Sequence, residues 1–182
     1  MGDTFQTIVD RDATPHDAPR LARSVVDLWV AEGIVLAEAK PGWGLSDLPA
    51  HPPGPHWHKA VDDARWGAPE GVVAYTERHV FFSMLDARDP STSCPRCTTV
   101  ADDSLLLSEA VEQWHRTGEA DIPCHACGET APAPAWHWSD DHLALAHLGF
   151  EFWNWPSLSE EFRAKTAELL PGHRTAFLAG KI

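Results

Sequence analysis

The sequence predicts an α+β fold, and three observations carry that reading. Both ends of the chain alternate between strand-like and helix-like patterns. A proline- and glycine-rich loop follows the first of these halves. A segment holding all four cysteines, in two tight pairs, lies between them. The chain has 182 residues, enough for one domain that buries a core without covalent staples. Hydrophobic residues make up 43% and charged residues 23%, which excludes disorder as the overall class. No apolar run approaches a membrane span. The start, MGDTFQTIVDRD, carries acids where an export signal needs basic residues.

Thr4 to Val9 reads as a strand. Thr14 or Asp17 can cap a helix with Pro15 or Pro19 in its first turn. Leu21, Val25, Leu28 and Trp29 then recur at helical spacing, and Gly33 suits a left-handed C-terminal cap. Ile34-Val35-Leu36 reads as a second strand. Residues 41–58, PGWGLSDLPAHPPGPHWH, form a long loop, because proline removes amide donors and glycine loosens φ. GVVAYTERHVFF at 71–82 is rich in β-formers and reads as one strand or a bent pair.

In the cysteine segment, DDSLLLSEAVEQWHRTG predicts a helix of about three turns. Asp103 or Ser104 would cap it, Leu107, Val111 and Trp114 share a face, and Gly118 would end it. Trp136 and Trp138 alternate as a short strand. Leu148, Phe150 and Phe152 alternate with Gly149, Glu151 and Trp153, a clear strand stopped by Pro156. Ser157 with Glu160 matches a capping box for a helix that presents Leu158, Phe162 and Leu169, and Pro171-Gly172 ends it. Arg174 to Ala179 is the last strand. Two strand–helix–strand halves can close into a ferredoxin-like or related α/β plait. The reading is one domain over 1–182, with a metal-binding module inserted at 90–130.

The cysteines form the motif Cys94-Pro95-Arg96-Cys97, then 26 residues, then Cys124-His125-Ala126-Cys127-Gly128. Two intervening residues let both sulfurs of a turn face one centre, and two such turns supply a tetrahedron of thiolates suited to Zn²⁺. Pro95 sets the entry of the first turn, and Gly128 tolerates the φ expected after the second. Four thiolates leave no open coordination position, so the expected role of Cys94, Cys97, Cys124 and Cys127 is to hold a structural zinc. An iron S₄ centre and a thiol–disulfide pair are rival uses of the same residues. The second wants a single CxxC at a helix start, and here there are two. His125 is a spare imidazole inside the second turn. The CPxC and CxxCG turns resemble zinc ribbons over about 90–130, although a helix replaces the hairpin that usually joins the turns.

Two polar groups are further candidates. His51, His56 and His58 lie in HPPGPHWH. His137, Asp140, Asp141 and His142 lie in HWSDDH. Either could bind a second metal or run acid–base chemistry, and together they define an alternative reading as an enzyme. Catalytic spacings such as HExxH, GxxxxGK[ST], GxGxxG after a strand and GxSxG are missing from the sequence. Nine tryptophans are many for this length. Trp43, Trp57 and Trp66, near the long loop, are candidates for a groove or an interface, as are Trp153 and Trp155. Trp29 and Trp114 read as core.

The formal charge is −13, spread as 14 acids to 8 bases over 1–90 and 13 to 6 over 91–182. Such a field repels phosphate backbones, which disfavours the third reading, a zinc-ribbon nucleic-acid module. It attracts a basic protein instead. Paired cysteines without an export signal point to a reducing, cytoplasmic setting. The leading expectation is a zinc-stabilised protein that acts by binding another protein, one concrete form being an immunity- or antitoxin-like cover for a basic enzyme. The run LGFEFWNWPSLSEEFRAKTAELLPGHRTAFLAGKI, with the upstream PGP loop and the CxxC pairs, also resembles a group of bacterial proteins of unknown function. Some of that group carry a sugar-transporter ATPase label, which a chain without a phosphate loop does not support.

Overall fold

The computed structural model describes residues 2–65, 69–83 and 91–182. In chain order its elements are β1 (Thr4–Asp10), α1 (Ala18–Ala31), β2 (Val72–Tyr75), β3 (His79–Phe82), β4 (Thr92–Ser93), α2 (Ser104–Thr117), β5 (Asp121–Pro123), β6 (Thr130–Pro132), β7 (His137–Trp138), β8 (Leu143–Ala146), β9 (Leu148–Trp153), α3 (Glu160–Glu168) and β10 (Thr175–Lys181), with short 3₁₀ turns at Trp57–Ala60, Ala133–Ala135 and Ser139–Asp141. The architecture is α+β. Four strands form one antiparallel sheet in the order β10-β1-β9-β2, and three two-stranded ribbons pair β3 with β8, β4 with β7, and β5 with β6.

Period-2 patterning decides which face of the sheet each side chain meets. Ile8, Phe150 and Phe152 look toward the helices, where Leu21, Val25 and Trp29 of α1 and Phe162 of α3 complete one buried cluster. Trp29 is its hub, with ring centroids 4.9 Å from Phe150, 5.4 Å from Phe152 and 5.5 Å from Phe162. Leu28, expected on the same face of α1, is only half-buried.

All six residues of β9 are buried, because the other face of the sheet is covered too. Phe81, Ala144 and Ala146 of the β3–β8 ribbon pack there against Val9, Ala176 and Leu178. Gly149 makes this close approach possible, since a Cβ at that position would lie 2.4 Å from Phe81 Cζ. The alternate residues of the ribbon, Val80, Leu143 and Leu145, face away into a second cluster beneath the cysteines. One thin ribbon therefore serves two cores.

Two expectations need correction. Ile34-Val35-Leu36 is not a strand: it makes a single bridge, Val35 to Pro53, because the proline-rich segment opposite cannot sustain a ladder. The strand that completes the first half is β2, some forty residues later. The cap of α3 is Ser159, whose hydroxyl accepts from the Phe162 amide, rather than Ser157. The apolar cluster under the cysteines also runs past residue 130, taking in Trp136, Trp138 and Leu145, because the short β4–β7 ribbon lies against it. The caps at Asp103 (accepting from the Leu106 amide) and at Gly118 (φ +88°) stand where the sequence places them.

Candidate metal centre

Each cysteine pair occupies the tip of a hairpin-like turn. Cys94 follows β4, and the Ser93–Val100 bridge closes the loop behind it. Cys124 follows β5, and the Pro123–Thr130 pair closes the second. The backbones repeat one another. The Cys94 amide donates to the Thr99 carbonyl (3.0 Å) and the Thr98 amide to the Cys94 carbonyl (3.0 Å). The Cys124 amide likewise donates to Glu129 (2.8 Å) and the Gly128 amide to Cys124 (2.9 Å). The residue after each CxxC has positive φ, +61° at Thr98 and +73° at Gly128.

The four sulfurs lie within 4.8 Å of one another, with Cys94–Cys127 at 3.9 Å and Cys97–Cys124 at 3.6 Å. Metal–sulfur bonds of ~2.3 Å in a regular tetrahedron require sulfur–sulfur edges of about 3.8 Å, so these thiols stand close to ligand spacing. Cys94 and Cys124 are buried, and Cys127 is exposed. The Arg96 amide donates to Cys94 Sγ at 3.3 Å. The Thr99 hydroxyl and amide pull Cys97 down to about 6. The Glu129 amide also favours the Cys127 thiolate, but desolvation and the three neighbouring thiols outweigh it and push that group up to about 12. Four thiols this close cannot all ionise unless a cation is among them. Beneath them Trp114 of α2, Ile122, Trp136 and Trp138 form a buried apolar floor.

Gly128 offers the sharpest local test. Gly128→Val forces a β-branched residue into the left-handed region, at a cost of about 1–2 kcal/mol or more. We expect weaker metal retention in a competitive chelator titration. Thr98→Gly relieves the same strain in the first turn and should hold metal at least as tightly.

The other candidates do not assemble. Among the described residues, the four cysteines are the only cluster of His, Cys, Asp or Glu with metal-ligand spacing. His51 and His56 each turn Nδ1 to a backbone carbonyl, of Leu36 and Glu32 respectively, both at 3.0 Å, and the His58 ring lies 6.2 Å from that of His56. His56 thus ties the long loop to the end of α1, and His51 ties it to the segment that follows the helix. Asp141 pairs with Arg11 at 2.7 Å, His142 Nδ1 meets the Ser139 carbonyl at 2.7 Å, and His137 is exposed. The Asp140 side chain and Trp66 lie outside the described residues. His125 is exposed and faces Asp102 at 3.5 Å, not the sulfurs. Of the loop tryptophans, Trp43 is exposed and Trp57 is half-buried against Trp155. Trp153 and Trp155 are buried.

A polar group that the sequence analysis missed lies on the sheet face opposite the helices. Glu151, at mid-strand on β9, is 8% exposed, and its carboxyl accepts from the Tyr75 hydroxyl at 3.0 Å. Burial holds Glu151 above the usual glutamate range, with Tyr75, Trp153 and Thr7 opposing that shift only in part. Burial and the Glu151 charge raise Tyr75 as well, while burial and His115 lower neighbouring His79. The only hint in the sequence was a glutamate at a position whose strand neighbours are all apolar or small.

The pH consequence follows from linkage. Glu151 binds its proton more tightly folded than unfolded, so its contribution is fully present below the ordinary value of 4.5. It is lost as pH rises through the folded-state value. Glu151→Gln should therefore remove a fall in stability between pH 4.5 and the folded-state value, and raise the melting temperature at neutral pH. Parallel thermal melts of the two proteins across pH 4–8 test this; superimposable curves would refute it.

Comparison with protein-family models, curated proteins and solved structures finds no match to this chain. No helix among the described residues is long and apolar enough to cross a membrane.

Proposed function

We propose that this is a cytoplasmic protein in which a structural zinc, held by Cys94, Cys97, Cys124 and Cys127, stabilises a module inserted into a ferredoxin-like plait, and that it acts by binding a basic protein partner. The observation that carries the metal assignment is the closed set of four sulfurs at tetrahedral spacing. Thiolate donors suit zinc, and a filled coordination sphere supplies shape rather than an activated water. The plait reading is supported by the strand order β10-β1-β9-β2, antiparallel throughout, with one helix in each strand–helix–strand half.

Two features favour a protein partner. The charge of −13 steers basic surfaces toward the chain. In addition, Trp43, Leu45 and Leu48 are exposed in the long loop, with Leu36 exposed shortly before it, an arrangement that suits an interface anchor better than a solvated turn. An immunity- or antitoxin-like role is the most concrete version.

The test is affinity capture from the native host using the zinc-loaded protein beside a Trp43→Ala, Leu45→Ser double variant. A basic protein captured by the first, lost with the second and released by moderate salt supports the reading. Capture that ignores both the loop and the salt contradicts it. Retention of nucleic acid at physiological salt would favour the zinc-ribbon alternative.

A further inference from the structure

The Glu151 carboxyl does not sit in solid protein. It lines a cleft of about 230 Å³ between the main sheet and the β3–β8 ribbon, and this cleft adjoins a wider one of about 610 Å³ that shares Leu45, Ser46, Tyr75 and His79. Five aromatic residues, Phe5, Tyr75, Phe81, Phe82 and Trp153, line it. Phe5 stands 5.5 Å from Trp153 and 6.4 Å from Phe82, and Tyr75 stands 5.5 Å from Phe81, centroid to centroid. Phe5, Phe81 and Trp153 are buried, whereas Phe82 is 51% exposed and forms the rim. The Trp153 indole N–H favours the ionised carboxyl but completes no hydrogen bond of full geometry, and among the described residues it has no other partner.

A buried carboxylate normally has a cation or several donors to offset its desolvation. Glu151 makes one hydrogen bond of full geometry and, among the described residues, no ion pair. A negative group within aromatic faces is the chemistry that recognises organic cations, because ring quadrupoles and the carboxylate both attract positive charge while the rings exclude water. We propose that this cleft binds a small organic ammonium ion, with Glu151 as counter-ion, Phe5, Tyr75 and Trp153 as the cage and Phe82 at the mouth. This site does not depend on the protein-partner reading. His79 at its edge does not oppose the cation, since burial favours the neutral imidazole. The overall charge of −13 raises the local concentration of cations.

The test titrates the full zinc-loaded protein calorimetrically with choline, with its uncharged isostere 3,3-dimethyl-1-butanol, and with N-acetyl-lysine amide. Choline should bind at least about tenfold more tightly than the isostere, and Glu151→Gln should lose at least about tenfold. Binding of the lysine compound without choline would keep the ammonium chemistry and identify a lysine side chain as its source. Equal binding of choline and the isostere, or no binding of either cation, overturns the proposal. So does an unchanged affinity in Glu151→Gln. Should that variant fail to fold, Phe82→Ala replaces it. This rim residue can be truncated without opening the core, and it should weaken choline severalfold. Unchanged affinity there also overturns the cage.

Discussion

Cys94→Ser is expected to yield a protein without stoichiometric zinc and with the cysteine half of the molecule unfolded. Cys94 is 1% exposed and belongs to the cluster with Ala110, Trp114, Ile122, Trp136 and Trp138. Apart from α2, the elements around these residues are short, β4 and β7 having two residues each, and such strands have little ladder of their own. Zinc binding to such sites is worth on the order of 10 kcal/mol apparent, comparable to the net stability of a whole domain. Losing one thiolate also leaves three thiols crowded together without a cation. We expect amides of α2 and the β5–β6 hairpin to exchange rapidly with solvent, while β1, β9 and α1 remain protected by their separate core. A strong zinc chelator should produce the same pattern in the unsubstituted protein. Elemental analysis with hydrogen-exchange mass spectrometry decides the matter. Full zinc content and unchanged α2 protection in Cys94→Ser would refute the structural role, as would cysteines found paired as disulfides.

The second large effect is expected at Trp29. Its indole, 2% exposed, is ringed by Phe150, Phe152 and Phe162, so it joins α1, α3 and the central strand of the sheet. Trp29→Ala removes that hub and leaves a cavity the surrounding rings cannot close. The cost should be about 3–5 kcal/mol, a large share of a net stability of 5–15 kcal/mol. Equilibrium unfolding in urea should show a much lower midpoint. A loss below about 1 kcal/mol would mean that the cluster repacks and that Trp29 does not organise this core. Zinc content should stay near stoichiometric at temperatures where the variant is folded, because the cysteines rest on a different cluster.

These two residues also show what a sequence can reveal. Trp29 could be read as core because helical spacing alone places it in line with Leu21 and Val25. Each cysteine pair could be read as a candidate because a CxxC turn brings two sulfurs together through local geometry, while the meeting of the two pairs across 27 to 33 residues is tertiary. The caps at Asp103 and Gly118 are local in the same sense. The failures share a different cause. Ile34-Val35-Leu36 has strand propensity, but a strand also needs a partner with free amides, and its neighbour here is rich in proline. HPPGPHWH and HWSDDH have the right residue types, yet convergence depends on long-range placement, and the folded chain spends His51, His56 and His142 on carbonyls and Asp141 on Arg11.

The sequence by itself determined the α+β class, the caps of α2, the aromatic core face and the two close cysteine pairs, because each depends on contacts within a few residues or on a strict period. Only the tertiary structure decided that the missing strand of the first half is β2, that one ribbon separates two cores, and that Glu151 faces an aromatic cleft. Period 2 says that Glu151 and Phe150 point to opposite sides of a strand. It cannot say what covers each side, because that cover comes from Phe81 and Ala144, distant along the chain and brought there by packing against the sheet.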